Sequence, residues 1–228
     1  MFVVKPYDRL HAQEYAQRFA LRRNALFPDY EAIGGDCTNF VSQCIYAGSC
    51  EMNFTPTFGW YYISPSERAP AWTGVQYLYN FLTQNGAQGP FGKEVRAVEA
   101  ELGDIIQLGN RTVGFYHSLI ITGFEHGTFL VCAHSDDALN RPLNSYEYQR
   151  IRFLHIEGVR FEMPSVDSCF LDLMNEQGNM AEEPQQTPIP PQELQPETEE
   201  EAPILPPAYA LQLEPEMEYE EALEDNDS

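Results

Sequence analysis

One stretch, Gly34-Gly35-Asp36-Cys37-Thr38-Asn39-Phe40-Val41-Ser42-Gln43-Cys44, constrains the chain more than any other. Paired glycines let the backbone turn sharply or take positive φ just before a helix. Asp36 is a good N-cap, and Phe40, Val41, Cys44 and Ile45 follow at helical spacing, with Gly48 where a stop is expected. A helix begun this way holds Cys37 in its first turn, beside unpaired N–H groups and the positive end of the helix dipole. A thiol in that position has a lowered pKa and is a candidate nucleophile. The same cysteine also reads as one more member of a buried apolar face, so the stretch alone leaves both readings open.

The surrounding chain changes character along its length. Asp8 opens a first helix that runs to about Arg23, with Leu10, Ala12, Ala16, Phe19 and Ala20 as its apolar stripe. A third helix starts at Thr73 or Gly74, carries Val75, Leu78, Tyr79 and Leu82 on one face, and closes at Asn85-Gly86. Between them, residues 54–72 are rich in aromatics and turns. Trp60, Tyr61 and Trp72 there read either as packing over a small core or as the wall of a substrate cleft. From Asp104 onward the pattern is that of strands, over 104–108, 117–122, 128–134 and 150–156, with short connections that suggest antiparallel hairpins. Helices followed by a strand meander predict an α+β fold.

Charge divides the chain in two. Residues 1–163 hold 13 Lys and Arg against 17 Asp and Glu, while 164–228 hold 18 acids, no Lys or Arg, and 10 of the 17 prolines; the balances of −4 and −18 make up the net −22. So much charge with so few apolar residues cannot offset the entropy of ordering, so 164–228 is expected to be a disordered acidic tail behind a domain of residues 1–163. Apolar islands at Ile204-Leu205 and Tyr209-Ala210-Leu211 read either as docking points for a protein partner or simply as part of the tail. No basic patch points to nucleic acid, and no apolar run reaches a membrane-spanning length. Without an apolar leader segment, the cytoplasm is the default compartment, with secretion by another route left open. Five cysteines with no C-x-x-C pair argue against a disulfide framework and against zinc. No cofactor is expected.

The histidines extend the case for Cys37. If His126-Gly127 is a two-residue hairpin loop, Phe124 pairs with Phe129, Leu119 with His134, and His117 with Asp136. Residues alternate between faces, so His117, His134 and Asp136 share one face and Asp137 takes the other. That is the arrangement a base needs: one ring nitrogen toward the nucleophile, the other held by a polar group. A loop one residue longer would bring Ser135 or Asp137 round instead. The two strand histidines lack a third ligand at suitable spacing, so no metal is expected. His155 reads as edge decoration, His126 as an exposed turn residue, and His11 as a surface residue without a signal.

Several separated motifs look familiar together. Asp36-Cys37-Thr38-Asn39-Phe40-Val41 resembles the Asp-Cys-Ser-Gly-Phe-Val box of NlpC-type cell-wall peptidases. Leu102-Gly103-Asp104-Ile105-Ile106 resembles their Gly-Asp strand, and Tyr116-His117-Ser118-Leu119-Ile120-Ile121 their histidine strand. Tyr7-Asp8-Arg9, the full 34–44 stretch, Gly59-Trp60-Tyr61-Tyr62, Trp72-Thr73 and Ala133-His134-Ser135 more closely resemble the bacterial putative amidase domain family, related to NlpC and CHAP enzymes, over about residues 5–160.

That resemblance implies a papain-like thiol hydrolase of amide bonds. Cys37 would be the nucleophile, His117 the base and then the acid, and His134 the orienting residue. Asp36 and the Cys37 N–H at the helix start would position and hold the oxyanion. The implied substrate is a peptide or a peptidoglycan fragment. A second class of reading is an inactive papain-like module that binds rather than cuts, with the acidic tail as its interaction segment.

Overall fold

Asp8 opens the first helix as expected, its carboxylate accepting the His11 N–H at 3.0 Å. Helix α1 (Arg9–Phe19) buries Ala12, Tyr15, Ala16 and Phe19 against α2 (Cys37–Ser49). Every residue of α2 except Tyr46 is buried, although four of its first seven residues are polar. Those polar groups survive burial because each has a partner. Thr38 Oγ1 meets Ser118 Oγ at 3.1 Å, the Tyr15 hydroxyl donates to Gln43 Oε1 at 2.8 Å, and Ser42 Oγ donates to the Trp72 carbonyl at 2.9 Å.

The two tryptophans complete this set from outside the helix. Trp60 Nε1 donates to Ser42 Oγ at 3.0 Å and Trp72 Nε1 to Asn39 Oδ1 at 2.8 Å, with the rings 5.0 Å apart. Both are wholly buried. The cleft-wall reading of Trp60 and Trp72 is therefore corrected: they anchor α2 in the core, which is where an indole with a satisfied N–H stabilises most. Tyr61 is half-buried and stacks on Phe54 at 5.3 Å.

The computed structural model describes residues 2–162 and 169–176. After α2 come the short pair β2 (Tyr62–Ser64) and β3 (Glu67–Arg68), then α3 (Pro70–Thr73) and α4 (Val75–Gln84). The main antiparallel sheet has seven strands. It orders β1 (Val3–Lys5), β9 (Arg150–Phe161), β5 (Ile105–Asn110), β6 (Gly114–Glu125), β7 (Thr128–Ala133) and β8 (Ala138–Pro142), with β4 (Gly89–Val95) also pairing β9. The helices pack on one face through Ile105, Ile120, Cys132 and Leu154. A second apolar cluster, with Ile106, Leu108, Leu119, Ile121 and Phe153, fills the other face. The fold is a mixed helix and antiparallel-sheet structure, and no helix among the described residues is long and apolar enough to cross a membrane.

The β6–β7 hairpin closes as expected, with Phe124 opposite Phe129 and positive φ at both His126 (49°) and Gly127 (79°), which suits a type I′ turn. Register then departs from expectation. Ile121 pairs Val131 but Gly123 pairs Leu130, so Thr122 is an extra residue in β6. A one-residue bulge flips every side chain beyond it. His134 consequently turns toward the helices, on the face of Ser118, while His117 points to the far face with Leu119. The expected shared face of His117, His134 and Asp136 does not form.

The sheet is tied to α1 by a buried carboxylate. Asp104 takes Arg9 Nη1 at 2.7 Å, the Ile156 N–H at 3.0 Å and the Glu101 N–H at 2.8 Å, and lies 2.8 Å from His155 Nδ1. His155 is thus part of this junction and not mere edge decoration. His11 also has a partner, its ring stacking on Phe170 at 3.8 Å.

Two further expectations are corrected at the C-terminal side. A short helix, α5 (Cys169–Met174), buries Phe170 and Leu173 in the helix-side core, and Asn24 Nδ2 donates to the Leu173 carbonyl at 3.0 Å. The packed unit therefore extends past residue 163. The remainder of the expected acidic tail, including the islands at 204–211, lies outside the described residues. Cys50, the αL residue that ends α2, forms a disulfide with Cys169, with Cα atoms 5.8 Å apart. Counting cysteines misled because only two of the five pair, leaving Cys37, Cys44 and Cys132 free.

A bridge spanning 119 residues removes much denatured-chain entropy, roughly 5 kcal/mol in the loop-closure account. Reduction, or the double change Cys50→Ser with Cys169→Ser, is expected to lower the midpoint of thermal unfolding by about 10 °C. Calorimetry with and without a phosphine reductant measures this, and an unchanged midpoint would refute the stabilising role of the bridge.

Candidate active site

Cys37 is the first residue of α2, and three structural devices fix its place. Gly34 and Gly35 enter at φ 126° and 98°, conformations closed to most other residues. At Gly35 a Cβ would also press on Ser135 Oγ at 3.1 Å. Asp36 stands at the N-cap, yet its side chain makes no capping bond. Its Oδ1 instead accepts the Tyr30 N–H at 3.0 Å and the Asn39 amide at 2.8 Å, while Oδ2 lies 2.6 Å from His134 Nδ1.

The turn after β7 grips the same segment. Ser135 Oγ accepts the Asp36 N–H at 2.6 Å and donates to Glu31 Oε2 at 2.8 Å. Arg23 gathers the surrounding acids, reaching Asp137 at 2.9 Å and lying 3.4 Å from both Asp29 and Asp36. His134 is wholly buried, stacked on Phe40 at 4.0 Å, with Nε2 2.9 Å from the Phe19 carbonyl. A carbonyl only accepts, so Nε2 carries a hydrogen, and a proton is held between Nδ1 and Asp36. With both nitrogens committed, the ring is not free to orient His117. The expected role for His134 is corrected accordingly: it holds the Asp36–Cys37 segment in place.

Cys37 and His117 line one cavity of about 580 Å³, together with Gly35, Tyr116, Asp136 and Arg141. The cavity opens where β7 has ceased to pair with β6, leaving the edge of β6 near Ser118 free. The peptide N–H groups of Ser118 and Thr38 point at the Cys37 sulfur, and Thr38 Oγ1 lies 3.8 Å from it. His117 has its ring 6.1 Å from that of Tyr146, and no hydrogen bond to it occurs among the described residues. Of the candidates for a partner, Ser135 and Asp136 reach this cavity; the Ser135 hydroxyl is already committed to Asp36 and Glu31, which leaves Asp136. It is mostly exposed and bonds Arg141 at 2.9 Å, whereas Asp137 is spent on Arg23. Ser135 and Asp136 sit at φ 59° and 82°, so two non-glycine residues in the left-handed region turn the chain beside the thiol.

Electrostatics differ from what the helix start alone predicts. Burial pushes the Cys37 thiol up, against the opposing pull of the Ser118 and Thr38 N–H groups. Burial also brings His117 down to about 4, assisted by Arg141 and opposed by Asp136 and Glu31. Both shifts favour the uncharged forms, a neutral thiol beside a neutral imidazole. Among the described residues no group of three or more His, Cys, Asp and Glu is placed to hold a metal ion.

The family described as "Putative amidase domain" matches residues 6–156 of the chain. The chain is also 30% identical over 176 residues to "Uncharacterized protein YhbB" of Bacillus subtilis (strain 168), covering 75% of this chain and 51% of that protein. It thus spans about half the length of the curated relative it matches. No solved structure matches.

His134→Ala strands the buried Asp36 carboxylate without its imidazole, which should cost about 3 kcal/mol of folding stability. Chemical denaturation measures that loss. An unchanged stability would mean that the contact does not hold the Asp36–Cys37 segment.

Proposed function

Because the chain belongs to the family described as "Putative amidase domain", we propose that it hydrolyses amide bonds with Cys37 as nucleophile and His117 as the base, in a papain-like arrangement of helix and sheet. One observation carries this reading: a thiol clamped at the start of a buried helix and an unpartnered imidazole open onto the same cavity.

In this mechanism the Cys37 S–H proton passes to His117 as sulfur adds to the substrate carbonyl carbon. The tetrahedral oxyanion takes the N–H groups at the start of α2, which the Asp36 side chain leaves uncapped. His117 then gives its proton to the departing amine, the C–N bond breaks, and a thioester remains. Water, relieved of a proton by His117, cleaves the thioester and returns the thiol. Since both partners rest neutral, proton transfer accompanies attack instead of preceding it. Asp136 is the carboxylate placed to support the imidazolium.

Substrates in this proposal are peptide amides, including peptidoglycan fragments. The Cys50–Cys169 disulfide supports maturation in an oxidising compartment, in place of the cytoplasmic default. A second reading, a binding module that has lost its chemistry, is favoured by the burial that pushes Cys37 up and His117 down, away from a reactive ion pair.

Hydrolysis of peptide and peptidoglycan-fragment amides by the full chain separates the two readings. Cys37→Ala is expected to lower turnover by about 1000-fold or more with unfolding unchanged, whereas Cys44→Ala should alter stability and leave the chemistry intact. Hydrolysis that survives Cys37→Ala would overturn the thiol mechanism.

The pH profile gives an independent check. A base works only unprotonated, so kcat/KM should fall on acidification through about pH 4, well below the 6.5 of an ordinary imidazole. A thiol pushed upward gives no descending limb at neutral pH. An acid limb near 6.5 would place the working base elsewhere.

A further inference from the structure

A second cavity of about 440 Å³ lies between the loop that follows α2 and the exposed side of α4. We propose that it is a binding site for an uncharged sugar chain, taken up by Phe58 and Tyr77 as stacking platforms and by the Asn80 and Gln84 amides as hydrogen-bonding groups.

The loop is built to present its aromatic ring. Asn53 and Trp60 exchange two backbone hydrogen bonds at 2.9 and 2.8 Å, closing the loop at its base. Inside it, the Phe58 N–H donates to the Pro56 carbonyl at 2.7 Å with Thr57 at φ 66° between them. That is the rare, strained sense of a three-residue turn, and a β-branched residue is among the least suited to it. A Cβ at Gly59 would collide with the Asn53 and Thr55 carbonyl oxygens, so the loop tolerates no side chain there. The outcome of this strain is a Phe58 ring left 84% exposed. Folding alone gives no reason to hold a large apolar ring in water on a strained turn, whereas binding does.

The rest of the cavity suits a sugar. Tyr77 is 60% exposed on the opposite wall. The Asn80 side chain uses only its oxygen, accepting from Gln76 Nε2 at 2.8 Å, and the Gln84 side chain makes no hydrogen bond among the described residues. Aromatic faces meet the C–H face of a pyranose, and free amides match its ring of hydroxyls, which both donate and accept. No charged side chain lines this cavity, unlike the one at Cys37. A neutral ligand is therefore favoured over an acidic or basic peptide.

The test uses the full chain, with calorimetric titration of β-1,4-linked pentasaccharides of glucose and of N-acetylglucosamine. Binding by at least one is expected, with Kd on the order of 1 mM. Phe58→Ala and Tyr77→Ala should each weaken it about tenfold, while Cys37→Ala should leave it unchanged. Failure of both sugars to bind, or equal binding by the Phe58→Ala and Tyr77→Ala variants, would overturn the site. So would capture of a neutral peptide in preference to either sugar. Loss of sugar binding in Cys37→Ala would place the ligand at the thiol cavity instead. Because amide hydrolysis is read separately, either activity can fail without the other.

Discussion

Everything about the thiol's position depends on how the buried Asp36 carboxylate is satisfied. A carboxylate with no exposure is tolerated only where several groups bond it. Here they arrive from separate parts of the chain: Tyr30 from the preceding loop, Asn39 from α2, His134 from the end of β7, and Arg23 from just beyond α1. The Tyr30 and Asn39 bonds are local, but the His134 and Arg23 contacts form only when the end of β7 and the segment after α1 are in register with them. The residue next in line is Cys37, so the assembly of the fold and the placement of the sulfur are one event. Asp104 repeats the device elsewhere in the molecule, joining Arg9 of α1 to β9 through Ile156 and His155. The conspicuous acid–histidine contacts thus organise the fold, and in the proposed mechanism proton transfer falls to His117 instead.

This division of labour accounts for the contrast within the Cys37 cavity. The thiol is rigid, fixed by a clamped turn and by two peptide N–H groups directed at it. The imidazole is loose, projecting from an unpaired strand edge with no hydrogen bond to either nitrogen among the described residues. Burial drives both toward their neutral forms. In the proposed mechanism the charge needed for attack is therefore absent at rest and arises when a substrate carbonyl is present to accept it. The free imidazole can then adjust to a partner that the clamped sulfur cannot follow.

Much of this was legible in the residues, and the limits were physical. Helices followed by an antiparallel meander, the His126-Gly127 turn and the start of α2 at Cys37 could all be read from local periodicity and turn chemistry. The Thr122 bulge was only hinted at: Gly123, an isolated glycine in a strand, is a bulge signal, but it does not say which neighbour is inserted or that the register shifts. That single insertion moved His134 to the other face and removed it from the site. Trp60 and Trp72 misled for a different reason. An aromatic cluster signals burial or binding equally well until the partners of its indole N–H groups are known, and those partners, Ser42 and Asn39, lie on α2. The Cys50–Cys169 bridge joins residues 119 apart, a pairing no spacing rule reaches. The helix start pointed to a lowered thiol pKa at Cys37, whereas burial outweighs a few aligned N–H groups and pushes it up.

The polar residues of α2 explain why its sequence is so restrictive. Thr38, Asn39, Ser42 and Gln43 would be destabilising in a core if left unpaired, each at a cost of about 1–3 kcal/mol. Each is instead assigned to a particular partner: Ser118 on β6, Trp72 from α3, Trp60 from the Phe58 loop, and Tyr15 on α1. One helix therefore fixes the strand edge beside the thiol and also the base of the loop that holds Phe58 in solvent. The two cavities need share no ligand for this coupling to matter. Any change that repositions α2 alters the hydrogen bonds of both, so a helix chosen for where it holds a sulfur also determines where an aromatic ring can stand.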